Sequence, residues 1–196
     1  MPQTSPHIYH DERPAAARLF FALTPDEATR DAIHGASRNL AQGSGGRAIP
    51  PEQFHITLAF LGSVQPDLED RVATLAAATG EAVPSGPFSF ELDQLGYWPN
   101  SKVIWYGCSH TPEALRELAL DLRRRLLNAA LPPAPGKFVP HVTLARWVRK
   151  AGPFPAAQRI PWEVRELTLL RSETLASGVR YTPLARCLLG RQGSLI

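Results

Sequence analysis

Two short runs of this chain carry residues able to do acid–base chemistry: His55-Ile56-Thr57-Leu58-Ala59 and His141-Val142-Thr143-Leu144-Ala145. Each is a short apolar stretch that reads as a strand, in which residues two apart share a face. Strict alternation puts His55, Thr57 and Ala59 on one face and Ile56, Leu58 and Phe60 on the other; likewise His141, Thr143 and Ala145 oppose Val142 and Leu144. The apolar faces suit a core. Each polar face offers an imidazole and a hydroxyl about 6 to 7 Å apart, beside a small alanine, which suits the wall of a cleft. Two such faces turned toward each other could serve phosphodiester chemistry. One imidazole would activate the incoming oxygen and the other would protonate the leaving oxygen, since histidine titrates near neutrality. The threonine hydroxyls could donate to the non-bridging phosphate oxygens. Which histidine is acid and which is base stays open, because the two runs are interchangeable in this respect.

One His-x-Thr run would be a weak signal; the elements around the two runs make the pair specific. Leu19 to Leu23 reads as a buried strand, followed by Thr24-Pro25-Asp26-Glu27, with Thr24 as helix N-cap and proline at the first helical position. Val103 to Gly107 reads as another strand, followed by Thr111-Pro112-Glu113 and a helix with Leu115, Leu118, Leu122 and Leu126 as its buried stripe. Thr24 precedes His55 by 31 residues and Thr111 precedes His141 by 30. Each unit therefore runs strand, Thr-Pro-acid helix, Gly- or Pro-rich loop, His-x-Thr strand, which is an internal duplication. A further helix is predicted over about 67–79, strands over 88–95, 162–170 and 180–189, and a turn over Gly96 to Asn100. The fold expected is α+β: two pseudo-symmetric lobes, each an antiparallel sheet with helices on its outer face, around a central cleft.

The remaining candidates are weaker. His34 falls mid-helix, His110 precedes a helix start, and His7 and His10 sit in a polar N-terminal segment. Residues 1–17 read as a disordered tail without the apolar core of a signal peptide, and 18–196 as one bilobal domain. Cys108 and Cys187 stand apart, which argues against a zinc site or disulfide scaffold and for a reducing, cytoplasmic setting. No carboxylate or third imidazole accompanies His55 and His141 at ligand spacing, so no metal and no cofactor are expected. With 44% hydrophobic and 20% charged residues, the 196-residue chain can bury a core. No stretch reaches the roughly 18 apolar residues that a membrane span needs. A net charge of +3, almost all from arginine, suits one phosphate end better than a coated duplex.

The two tetrads resemble the paired signatures of the two-histidine phosphoesterase superfamily. The flanks Arg18 to Leu23, Pro51 to Phe54, Phe138 to Pro140 and Arg180 to Leu184 resemble its bacterial RNA 2',3'-cyclic phosphodiesterase (2'-5' RNA ligase) branch. The resemblance implies a monomeric enzyme that opens 2',3'-cyclic phosphate ends of RNA, such as tRNA halves, to 2'-phosphomonoesters without metal. It also implies possible reversible 2'-5' ligation. It gives His55 as proton donor, His141 as proton acceptor, Thr57 and Thr143 as phosphate ligands and Arg146 as a further phosphate contact. Strict alternation would turn Arg146 away from His141, so that contact requires a bulge or a strand end. An Arg-Trp-Val-Pro-like run is common in the family, and here it is Arg47-Ala48-Ile49-Pro50. The missing aromatic leaves Trp98 or Tyr97 as the rings that could stack on a base. The same chemistry would serve small cyclic nucleotides, ADP-ribose cyclic phosphate or 2'-5' oligoadenylates, and a cleft without turnover would make an RNA-end binding module.

Overall fold

The structure is a computed structural model that describes residues 17–42, 44–81, 86–176 and 178–190. The expected tail, with His7 and His10, lies outside the described residues except for Ala17, where the first strand begins. In chain order the elements are β1 (Ala17–Leu23), α1 (Glu27–Ser37), β2 (Arg47–Ala48), β3 (Ile56–Val64), α2 (Pro66–Glu81), β4 (Phe88–Leu92), β5 (Gln94–Trp98), β6 (Val103–Gly107), α3 (Glu113–Asn128), β7 (His141–Arg146), β8 (Ile160–Val164), β9 (Glu166–Leu175) and β10 (Gly178–Leu188).

All described strand pairings are antiparallel, and the class is α+β as expected. The duplication maps β1, α1 and β3 onto β6, α3 and β7. The strands follow the order β10-β9-β1-β3-β7-β6-β5, with β2 also on β7, and β4 pairs with β8 in a separate two-stranded sheet. The two His-x-Thr strands are therefore central neighbours, yet they share only one ladder pair, Ile56 with Val142. Beyond it they splay, and the chain just before each tetrad crosses to the other lobe. Ile49 N–H donates to Leu144 O (2.8 Å) and Ala134 N–H to Phe60 O (2.7 Å).

The helix starts differ from the sequence reading. Glu27 opens α1 and its cap is Asp26, whose carboxylate accepts from Thr29 N–H at 2.8 Å. That hydrogen bond holds the Asp26 carboxyl below its ordinary range. A carboxylate at the positive end of a helix outcompetes the Thr24 hydroxyl. In the second copy Pro112 occupies the cap position, with no side-chain cap. Two predicted strands are each broken in two. Asp93 separates β4 from β5 by turning its side chain to Ser109 N–H and Oγ–H (both 2.6 Å). Arg165 separates β8 from β9. The expected turn at Gly96 is the middle of β5, and Lys102, with φ 53°, supplies the left-handed corner that returns the chain into β6.

One contiguous core draws on both copies: Leu19, Phe21 and Ile33 from the first, Tyr106, Leu115 and Leu122 from the second, and Trp162 and Leu169 from the C-terminal strands. A smaller cluster of Phe20, Ala22 and Leu170, with Tyr181 against it, lies on the opposite face of β1 and β9. Burial of both faces explains why Leu19 to Leu23 is apolar without alternation. His55 packs over that second face, against Phe20 and Tyr181.

Candidate active site

Each histidine sits at the foot of its strand. His55 immediately precedes β3 and His141 opens β7. The antiparallel pair Ile56–Val142 sets the arrangement of the site. Moving one residue either way along that register faces His55 with Thr143, and Thr57 with His141. All four lie on the side opposite Ile56 and Val142, both fully buried in the core. The pseudo-twofold thus produces a four-cornered patch in which imidazole and hydroxyl alternate.

The rings are held identically. His55 Nδ1–H donates to Gln53 O at 2.7 Å, and His141 Nδ1–H donates to Val139 O at 2.8 Å. A carbonyl can only accept, so each neutral ring carries its proton on Nδ1 and keeps an Nε2 lone pair. Edge-on aromatics steady them: Tyr181 on His55, with centroids 5.2 Å apart, and Trp98 on His141 at 4.5 Å. Phe20 also packs on His55 at 5.0 Å. Burial, aided by the Arg146 and His141 charges, drives the His55 pKa down to about 4, although its hydrogen bond to the Gln53 carbonyl opposes this. His141 is lowered too, by burial first and then by Arg146. Both imidazoles are therefore neutral bases at pH 7 in the free protein. Neither Thr57 nor Thr143 hydroxyl has a protein partner among the described residues, which leaves both free to donate to an anion.

Strict alternation fails just past the threonines, in both copies. Phe21 pairs with Ala59 and Ala22 with Thr57, skipping Leu58; Ile104 pairs with Ala145 and Trp105 with Thr143, skipping Leu144. Each skipped leucine is a bulge residue. Ala59 and Ala145 turn to the core, at 7% and 0% exposure, instead of joining the histidine face. Phe60 and Arg146 turn onto the histidine face instead. Arg146 therefore stands on the same face as the two imidazoles, which fits its influence on both. Phe60 is 39% exposed and 6.5 Å from the Phe20 ring. It supplies an aromatic face at a position where strict alternation predicts core. The signal that could have revealed the bulges is the shared Leu-Ala pair, two consecutive apolar residues followed in one copy by an arginine.

Of the two rings considered for stacking, the structure brings only Trp98 to the histidines. Tyr97 packs on the core side of β5, and its hydroxyl donates to Val148 O at 3.3 Å. Trp105, which the sequence reading did not single out, joins Trp98 on the cleft face with centroids 5.2 Å apart. Its indole lies flat on Gly96, where an added Cβ would come within 2.1 Å of the ring. Beside His55 a cavity of about 560 Å³ opens under β10, with Gln53, Thr168, Tyr181 and Arg186 among its walls. Gln53 Nε2–H bridges its rim to Val179 O at 2.8 Å.

Known proteins share both the sequence and this architecture. Residues 24–175 match the model of the 2'-5' RNA ligase superfamily. The RNA 2',3'-cyclic phosphodiesterase of Escherichia coli is 33% identical over 88% of this chain and 96% of its own length. The Thermus thermophilus protein of the same name is 35% identical over 90% of this chain and 92% of its own. The crystal structure of E. coli LigT complexed with 3'-AMP superposes with a TM-score of 0.80 at 31% identity, covering 90% of this chain and 99% of that one. With paired His-x-Thr strands, a shared fold and matches along most of its length, the chain belongs to the 2'-5' RNA ligase superfamily.

Proposed function

We propose that this chain hydrolyses RNA 2',3'-cyclic phosphate ends to 2'-phosphomonoesters by acid–base catalysis between His55 and His141, without a metal ion. The observation that carries this reading is the pair of imidazoles, each fixed with Nδ1–H on a backbone carbonyl and Nε2 free, on one face with two unpartnered threonine hydroxyls. Such a pair supplies both proton transfers of an in-line displacement. In this scheme His141 takes a proton from water and His55 gives one to the departing 3'-oxygen. The hydroxyls of Thr57 and Thr143, together with Arg146, hold the non-bridging oxygens, where hydrogen bonds to charge count most.

With a pKa of about 4, His55 carries almost no proton at pH 7 in the free protein and so has none to give. The phosphodiester itself resolves this. Its negative charge, set between the imidazoles, opposes the Arg146 charge and favours one imidazolium. Proton loading is therefore coupled to substrate binding. The protein acts as one bilobal domain over residues 18–196, as a cytoplasmic monomer, on RNA ends such as tRNA halves. Among the described residues no helix is long and apolar enough to cross a membrane.

The test is the product formed from an RNA ending in a 2',3'-cyclic phosphate, in excess EDTA. A 2'-phosphate is expected. A 3'-phosphate would reverse the leaving group, dependence on added metal would end the two-histidine scheme, and no turnover would leave an RNA-end binding module.

A further inference from the structure

Eight arginines are ion-paired among the described residues, namely Arg116, Arg124, Arg125, Arg159, Arg165, Arg171, Arg180 and Arg186. The basic residues along the β2–β7 edge have no carboxylate partner there. The stretches of chain that contain β2, β5, β6 and β7 carry no acid over 32–51, 94–112 and 122–162. Arg47 lies directly across from Arg146 in the β2–β7 pair, so the two guanidiniums share the histidine face. Like charges opposite one another on a sheet repel, and an anion between them removes the penalty. The place of Arg47 is defined, since its Nη2 comes within 3.2 Å of where a Cβ on Gly178 would sit, at the tip of the β9–β10 hairpin.

Immediately after Arg146 the chain turns through Trp147, at φ 57°, and leaves that indole 61% exposed. The turn is tied on three sides. Val148 N–H donates to Lys102 O (3.0 Å), Arg149 N–H to Ser44 O (2.9 Å), and the Tyr97 hydroxyl to Val148 O (3.3 Å). A tied backbone keeps the indole presented to solvent, with Arg149 and Lys150 next in sequence. The cavity beside His55 has the opposite character, for Asp26, Glu27, Glu52, Glu163 and Glu166 line it against three arginines.

We propose that the single strand of RNA adjoining the cyclic phosphate leaves the cleft along the β2–β7 edge, with a phosphate between Arg47 and Arg146, a base on Trp147 and a further phosphate at Arg149 and Lys150. This rests on the reading of the site given above and adds to it the basis for choosing an RNA over a mononucleotide. Aromatic faces and a basic track are what single-stranded nucleic acid needs, whatever its sequence. The acidic rim of the cavity turns the strand away from the other side.

The test compares a 2',3'-cyclic mononucleotide with a ten-nucleotide unstructured RNA carrying the same end, for the wild type, Trp147→Ala and the double variant Arg149→Gln/Lys150→Gln. The expected result is a rise of about ten-fold or more in KM for the RNA with Trp147→Ala, and a salt-dependence slope lowered by about 0.7, for the one phosphate released, in the double variant. Mononucleotide turnover is expected to stay unchanged in both. Equal losses on the two substrates, or no loss on either, would overturn the proposal. If the wild type turns over neither substrate, the phosphodiesterase reading fails. The track is then read by fluorescence anisotropy with the same RNA: weaker binding by the variants supports it and unchanged binding refutes it.

Discussion

The smallest unit that explains the site is one hydrogen bond, made twice. Donation of Nδ1–H to the carbonyl two residues back, at Gln53 and Val139, fixes tautomer and aim together. Replacing either His55 or His141 with alanine is expected to lower kcat on a cyclic-phosphate substrate by 10²-fold or more, with an unchanged circular dichroism spectrum; full activity in one single variant would sink the two-histidine scheme. Arg146 makes a subtler prediction. Its charge depresses both imidazoles, so Arg146→Met raises both pKa values and moves both limbs of the kcat/KM–pH profile to higher pH. Losing a charged hydrogen bond to phosphate adds roughly a 10- to 100-fold drop in kcat/KM. A drop without the alkaline displacement would show that Arg146 acts only on substrate. The sign for stability follows as well. His55, lowered from 6.5 to about 4, is bound by a proton more readily when unfolded. Its contribution is whole above pH 6.5 and fades as pH falls toward 4, by an amount on the order of 3 kcal/mol. Denaturant melts at pH 7 and pH 4 should show this, with a smaller loss in His55→Gln. These residues were legible in the sequence because the tetrad occurs twice at matched spacing. Their protonation was not, since it depends on burial beneath Tyr181 and Phe20 from distant strands.

At the scale of elements, the two bulges decide what the cleft contains. Strict period-two alternation predicts the shared face of His55, Thr57, His141 and Thr143 but fails at Ala59, Phe60 and Ala145, and the bulge that Arg146 requires is present. One extra residue in a strand inverts every later side chain. The same limit explains why β4 and β5, and likewise β8 and β9, read as single strands: the corners at Asp93 and Arg165 are made by tertiary partners. Trp105 and Gly96 show how strand β5 serves the site. The indole of Trp105 lies on bare backbone at Gly96 and in turn backs Trp98, which holds the edge of His141. Gly96→Val must therefore displace the indole. The expected cost is about 1–3 kcal/mol of overpacking in urea unfolding, with a rise in KM larger than the fall in kcat if the tryptophans contact substrate. A variant as stable as the wild type would mean that Trp105 has another place to lie.

At the scale of the molecule, the duplication could have produced two independent folding units, and the shared packing argues for one. Each copy supplies one imidazole and one hydroxyl to the shared patch, and each crosses to the other through Ile49–Leu144 and Phe60–Ala134. The single large core takes Leu19 and Ile33 from the first copy, Leu115 and Leu122 from the second, and Trp162 and Leu169 from strands beyond both. Cutting the chain between the copies would expose most of that cluster, at about 25 cal/mol for each Å² of apolar surface. The opposing conformational entropy of each half would be left without compensation. Residues 18–196 are therefore expected to unfold in one cooperative step, with near- and far-ultraviolet circular dichroism coinciding in urea. A fragment ending at residue 100, after the first tetrad, is expected to lack a cooperative transition. The sharper form of this prediction concerns coupling. A destabilising change in the second copy, Leu122→Ala in α3, should cost about 2–5 kcal/mol and lower the urea midpoint reported by a probe in β1 of the first copy as far as that reported by a probe in α3. Two separated midpoints would show that the lobes fold independently and meet only at the site.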